Sequence, residues 1–371
     1  MKRIKSIDTI RGFCIFLMVL GHMLSWWVRP EDFWITLLLH SILGDIAAGG
    51  FLFVSGLSAV IAFKSRLSKA ESSEDISMEQ VNNEYLIRAL LILIIAVLFN
   101  ITTAIAVFNP LYIWRWFIPL TIAISLFLGF FFLKTSKLFR ILLALIFWSI
   151  HYVILSFLSP YQGQINIFGL LYHALYYDIG LHPILGYFGF FLIGTVVGDV
   201  LLEMSLKNDK KERRTVLKSK FWVPALIIGP ILILGGILFF FPNFLNHGNI
   251  LSMIYSLGVL LTSFSILLIL EEFEVIGVKK SYRFFYFYSF YSLTIYFSHY
   301  IIYFLFLDQL NIVTIWIAVI GTYSVLTLLI KFIHKKYRER ASIKGQIARL
   351  TIIIVNKIQN KKKISRTTES E

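Results

Sequence analysis

Apolar runs of about twenty residues recur from one end of this 371-residue chain to the other, and that is the length a helix needs to cross a bilayer. A lipid-embedded backbone must satisfy its own N–H and C=O groups, and continuous apolar runs do so as helices. The composition agrees. Hydrophobic residues make up 58% of the chain and charged residues 15%, with mean hydropathy +0.77, where a soluble chain carries about 25% charge. A soluble globular enzyme, a disordered protein and a fibrous one are all excluded. The expected fold is an all-α integral membrane protein, a polytopic bundle of about ten transmembrane helices. The spans are 10–28, 36–63, 86–107, 111–133, 138–158, 183–204, 222–241, 250–270, 285–307 and 311–333. Residues 1–340 form the transmembrane domain. Residues 341–371 form a basic tail, amphipathic over 341–358 and then disordered. The first span follows Lys2, Arg3 and Lys5 without a small-residue cleavage site, and reads as an uncleaved signal anchor. A single cysteine, Cys14, excludes an internal disulfide and a cysteine-based metal site.

The net charge of +14 is an orientation signal. Thirty-two of the 35 Lys and Arg fall on one side of the predicted spans, and Arg29 alone falls on the other. The positive-inside rule then puts both termini in the cytoplasm of a multi-pass cell-membrane protein. The basic face suits anionic lipid, and no nucleic-acid partner is expected. The longest loop of the opposite side, 159–182, has no Lys or Arg and carries His173, Asp178 and His182 among aromatic residues.

Ionisable side chains within spans are costly and usually functional. Here they are Arg11, His22, His40, Asp45, Arg115, His151, Asp199 and His299. At helical spacing Arg11, Ile15, Met18 and His22 form one stripe on span 1. Arg11 and His22 are separated along the axis by about 16 Å. Asp8, one turn before Arg11, can pair with it at the entrance. Span 2 carries Asp45, then Gly49-Gly50, then Ser55-Gly56. A bend at the paired glycines would free backbone groups to line a cavity. Asp45 needs a partner, with His22, Arg115 and His299 as the candidates. Span 9 carries the polar stripe Ser292, Tyr296, His299 and Tyr303. Trp26, Trp27, Trp34, Trp114 and Trp116 read as an aromatic belt at the outer interface.

Arg3-x-x-Ser6-x-Asp8-x-x-Arg11-Gly12, an apolar run with Met18, His22, and then Asp45 before an aromatic run ending at Gly56 resemble the membrane acyltransferases of the heparan-α-glucosaminide N-acetyltransferase type. The stretch Ser292-Leu-Thr-Ile-Tyr296-Phe-Ser-His299 is similar to a terminal Tyr-x-x-His span of the same superfamily, which the acyltransferase 3 family shares. One departure is clear. Animal lysosomal members carry a catalytic His between spans 1 and 2, and His40 lies too near Asp45 for an ungapped match. His22 occupies the family's Asn-or-His position.

The resemblance implies acetyl-CoA or another acyl-CoA as donor, with no metal, and an acceptor hydroxyl or amine on a sugar or glycolipid at the outer side. Asp8, Arg11, Ser55 and Gly56 are then expected near the donor. His22 is the expected base, with His299 second, His40 in reserve and Asp45 to orient. Arg115, Tyr296 and Asp178 are expected at the acceptor or the oxyanion. Membrane lipids, and a second copy of the chain in a homo-oligomer, are the other expected partners. A transporter or flippase of a small or lipid-linked solute would use the same intramembrane charges without covalent chemistry. It predicts paired broken helices in both halves, and only span 2 has the residues for one.

Overall fold

Helices account for every regular element among the described residues of the computed structural model, which are 3–72, 76–177, 181–240, 249–273 and 281–368. In chain order they are α1 (Lys5–Trp27), α2 (Trp34–Ser72), α3 (Met78–Ala106), α4 (Ile118–Phe132), α5 (Lys137–Leu158), α6 (Ile167–Leu175) and α7 (Ile184–Ser205). There follow α8 (Lys210–Leu217), α9 (Val223–Phe240), α10 (Ile250–Glu272), α11 (Ser281–Phe290), α12 (Ser292–Ser298), α13 (Thr314–Tyr337) and α14 (Ile343–Thr368). Nine stretches of the described residues are long and apolar enough to cross a bilayer. The protein is a polytopic helical membrane protein.

The ninth expected crossing is not one continuous helix. Residues 285–307 fall into α11, α12 and a tight turn of helix at His299–Phe304. The break is at Tyr291 (φ −97°, ψ 15°). It leaves the Phe290 carbonyl outside the helix, where it accepts from Ser342 Oγ at 3.1 Å. A run of Ser, Thr and Tyr permits this, because those side chains and their neighbours replace lost backbone bonds. Span 2 behaves in the opposite way. Helix α2 runs unbroken for 39 residues, through Gly49-Gly50 and Ser55-Gly56. The expected bend is absent because these glycines admit neighbours. A Cβ on Gly49 would press on the Phe190 ring, one on Gly50 on Cys14 Sγ, and one on Gly56 on the Phe191 carbonyl. Gly194 of α7 returns the contact against the Phe53 carbonyl. Small residues thus let α2 and α7 approach backbone to backbone.

The inner layer consists of α1, α2, α7 and α10, whose Leu52, Phe53, Phe190, Phe191 and Phe264 are fully buried. The outer helices expose large apolar residues, among them Leu90 and Leu98 on α3, Leu142 and Ile146 on α5, and Ile317 and Leu328 on α13. That surface matches lipid rather than water. Helix α14, read from the sequence as a surface amphipathic helix, packs against α3 and α12.

Buried charge locks α2, α5 and α7 together. Asp199 pairs with Arg140, which has no exposed side-chain surface, and with Lys64 at 2.8 Å. Nearer the surface, Glu203 pairs with Lys137 and with Lys220 at 2.6 Å.

Candidate active site

The two ends of α1 are fixed by different partners. At the basic end, the Glu271 carboxylate accepts from the backbone N–H groups of Lys5 and Ser6, both at 2.8 Å. A carboxylate there satisfies free donors and matches the helix dipole. At the other end, Asp308 N–H donates to the Trp26 carbonyl at 2.9 Å and Leu310 N–H to the Trp27 carbonyl at 2.8 Å. Trp27 Nε1 donates to the Ile302 carbonyl at 3.0 Å. These bonds tie the end of α1 that bears His22 to the broken segment that bears His299.

The His22 and His299 rings lie 4.9 Å apart, centroid to centroid. Trp26 stacks on both, at 4.8 Å from His22 and 5.5 Å from His299. His299 is buried, and its Nδ1 lies 2.6 Å from the Tyr296 carbonyl. A carbonyl can only accept, so Nδ1 carries the proton and Nε2 is a lone pair. Among the described residues that Nε2 has no hydrogen-bond partner. His22 is less buried than His299. The His40 ring packs against Gly21, 3.3 Å from where a Cβ would stand. The fields of His299, His40, His182 and Arg115 all reach His22, so four imidazoles and a guanidinium share one region.

Asp45 is held differently from the expectation. It accepts from Tyr187 Oη of α7 and from Ser252 Oγ of α10, the latter at 2.5 Å. Its face of α2 turns toward those helices, and Tyr187 and Ser252 lie in apolar spans that carry no motif. The Tyr187 ring is 5.0 Å from His182, which connects Asp45 to the histidine region through a phenol. Arg115 lies over the Tyr112 and Phe117 rings at 4.8 and 4.9 Å and not in open lipid. Asp178 lies outside the described residues. His173, in the loop helix α6, is 4.7 Å from the Tyr177 ring, and burial lowers its pKa from the ordinary imidazole value. The aromatic belt also needs correction. Trp27 and Trp116 are buried, and Trp26 belongs to the histidine stack.

A cavity of about 280 Å³ opens at the basic end. Arg11, Ser55, Ser58, Arg66, Arg88 and Lys344 line it, and Tyr296 stands at its wall. Arg11 is held by Asp8 at 3.9 Å, Ser58 Oγ at 2.5 Å and Ser289 Oγ at 3.5 Å. Ser289 Oγ also donates to Asp8 at 2.9 Å. The Asp8–Arg11 pair is therefore present. Ser55 faces the cavity, whereas Gly56 serves the α2–α7 crossing and is not part of a turn. Tyr296 joins the two regions, since its ring is 5.8 Å from His299. Arg88 and Lys344 were legible only as orientation and tail charges. Their place in the cavity depends on how α3 and α14 pack.

The fold is that of a multi-pass helical membrane protein with a basic cavity at one end and stacked imidazoles beyond it. The family model described as "Heparan-alpha-glucosaminide N-acetyltransferase, catalytic" matches residues 3–232, more than half of the chain. The chain belongs to that family, and its function is of the membrane acetyltransferase type. No curated protein matches it. The matched segment holds Arg11, His22, His40, Asp45 and Arg115 and ends before His299 and Lys344.

Proposed function

We propose that this protein moves an acetyl or short acyl group from acyl-CoA to a hydroxyl or amine of a sugar or glycolipid, across the thickness of the cell membrane. The observation that carries this reading is the alignment along α1. The basic cavity is at Arg11, Tyr296 borders it, and the His299–His22 pair follows. CoA is a polyanion with a long thin arm that ends in a thioester. Its phosphates match Arg11 and Arg88, and the arm spans the stretch of about 16 Å to His22.

In the reaction, the acceptor oxygen or nitrogen attacks the thioester carbonyl carbon. His22 takes the acceptor's proton, the C–S bond breaks, and the CoA thiolate leaves to be protonated. His22 is preferred to His299 because a base must touch the acceptor and His299 is buried. The fixed tautomer of His299 sets a lone pair beside the imidazolium that forms on His22. Arg115 is the nearby cation for the oxyanion.

Two results test this reading. Arg11→Gln weakens CoA binding by about 10- to 100-fold, the worth of a charge-assisted contact, with little change in turnover at saturating donor. Unchanged affinity in a folded variant would make Arg11 a structural group of the Asp8–Ser289 network. For sidedness, single cysteines placed in 160–177 react with an impermeant maleimide added outside, and those in 207–220 do not. Cys14 is buried and adds little background. The reverse pattern would put the basic cavity outside and remove the cytoplasmic donor.

A further inference from the structure

Helix α14 lies beyond the segment matched by the catalytic family, and as a sequence it reads as a basic tail on lipid. Its seat says otherwise. Ile343 N–H donates to Thr294 Oγ1 at 3.0 Å, and Thr294 Oγ1 donates to the Ala341 carbonyl at 3.2 Å. With the Ser342–Phe290 bond, these contacts fix the start of α14 to the broken segment beside Tyr296. Lys344, Ala348, Thr351 and Ile352 follow at helical spacing and face the basic cavity. Arg349, on another face, is exposed.

Lys344 thereby enters a group of like charges. The fields of Arg11, Arg88 and Arg3 reach it, against Asp8 as the opposing carboxylate. Arg66 is taken by Glu84. Among the described residues, neither Arg88 nor Lys344 has an ion pair. Three cations turned to one space repel one another, and they are stabilised when an anion of several charges lies between them.

We propose that Lys344 is a donor-recognition residue whose ammonium binds the phosphates of the donor's nucleotide part, so that α14 is a wall of the donor site. The assignment rests on the acyl-CoA reading above and adds a contact from outside the catalytic family segment. A lysine suits the task as a compact, mobile point charge on a phosphate. The acyl arm, which is uncharged, passes toward Tyr296 and makes no demand on Lys344.

The test compares three ligands on the wild type and three variants. Full-length protein in nanodiscs is titrated with CoA by calorimetry, and transfer is followed with acetyl-CoA and with S-acetylpantetheine, which lacks the nucleotide phosphates. Lys344→Gln is expected to weaken CoA binding, and to raise KM for acetyl-CoA, by about 10- to 100-fold. Its kcat and its use of S-acetylpantetheine stay as in the wild type. Lys344→Arg recovers much of the loss, and Arg349→Gln shows none. Equal CoA affinity in folded Lys344→Gln and wild type overturns the assignment. An equal loss with both thioesters also overturns it, since that marks a structural role for α14. If wild-type protein binds CoA through Lys344 yet transfers nothing, the recognition stands and the transferase reading falls.

Discussion

His22→Ala lowers acetyl turnover by about 10²- to 10⁴-fold while CoA affinity is retained, because a positioned base contributes to the transition state and not to donor binding. The expectation follows from the placement of His22. It shares one face of α1 with Arg11, about 16 Å further along the axis, and it is less buried than His299. Trp26 and His299 pack against its ring. Removing His299 is expected to act more weakly, through the orientation of His22, because His299 is buried. Stopped assays of acetyl transfer at saturating donor read both effects. Near-normal turnover in His22→Ala would pass the role to His40, whose ring packs beside α1 at Gly21.

Asp199→Ala is expected to destabilise the fold by about 3–5 kcal/mol, the usual cost of stripping one partner from a buried ion pair. Arg140 has no exposed surface and Lys64 is 29% exposed. Without Asp199 the Arg140 charge has lost its carboxylate inside the bundle, whereas Lys64 can extend toward water. Thermal unfolding in detergent reads the loss as a lower midpoint. The double variant Arg140→Met with Asp199→Leu recovers much of it, since a buried pair replaced whole by apolar groups is often neutral. An unchanged midpoint in Asp199→Ala would show that the α2–α5–α7 lock carries no stability.

What the sequence made legible follows from what hydropathy and helical spacing encode. The apolar runs gave the helices, and the Arg11–His22 stripe placed a cation and an imidazole at opposite ends of one helix. The Asp8–Arg11 pair followed from a one-turn spacing. Tertiary choices were not legible. Gly49-Gly50 reads equally as a bend or a close approach, and the ring of Phe190 and the sulfur of Cys14 decide for approach. The break appears instead at Tyr291, in a segment whose hydropathy resembles that of a straight span. Asp45 had three polar candidates in the sequence and accepts from Tyr187 and Ser252, residues that only the packing of α7 and α10 brings near. Lys344 looked like one of many tail cations until α14 turned it into the cavity.

On the function proposed above, this fold performs covalent acyl transfer and does not merely pass a solute. That function is tested most directly by acetyl-CoA labelled in the acetyl carbons, given to purified protein in vesicles that contain glycolipid. Label is expected to leave CoA and to appear covalently on the acceptor, in a reaction that depends on His22. Intact acetyl-CoA after prolonged incubation, or an unmodified solute crossing the vesicle wall in its place, would contradict it.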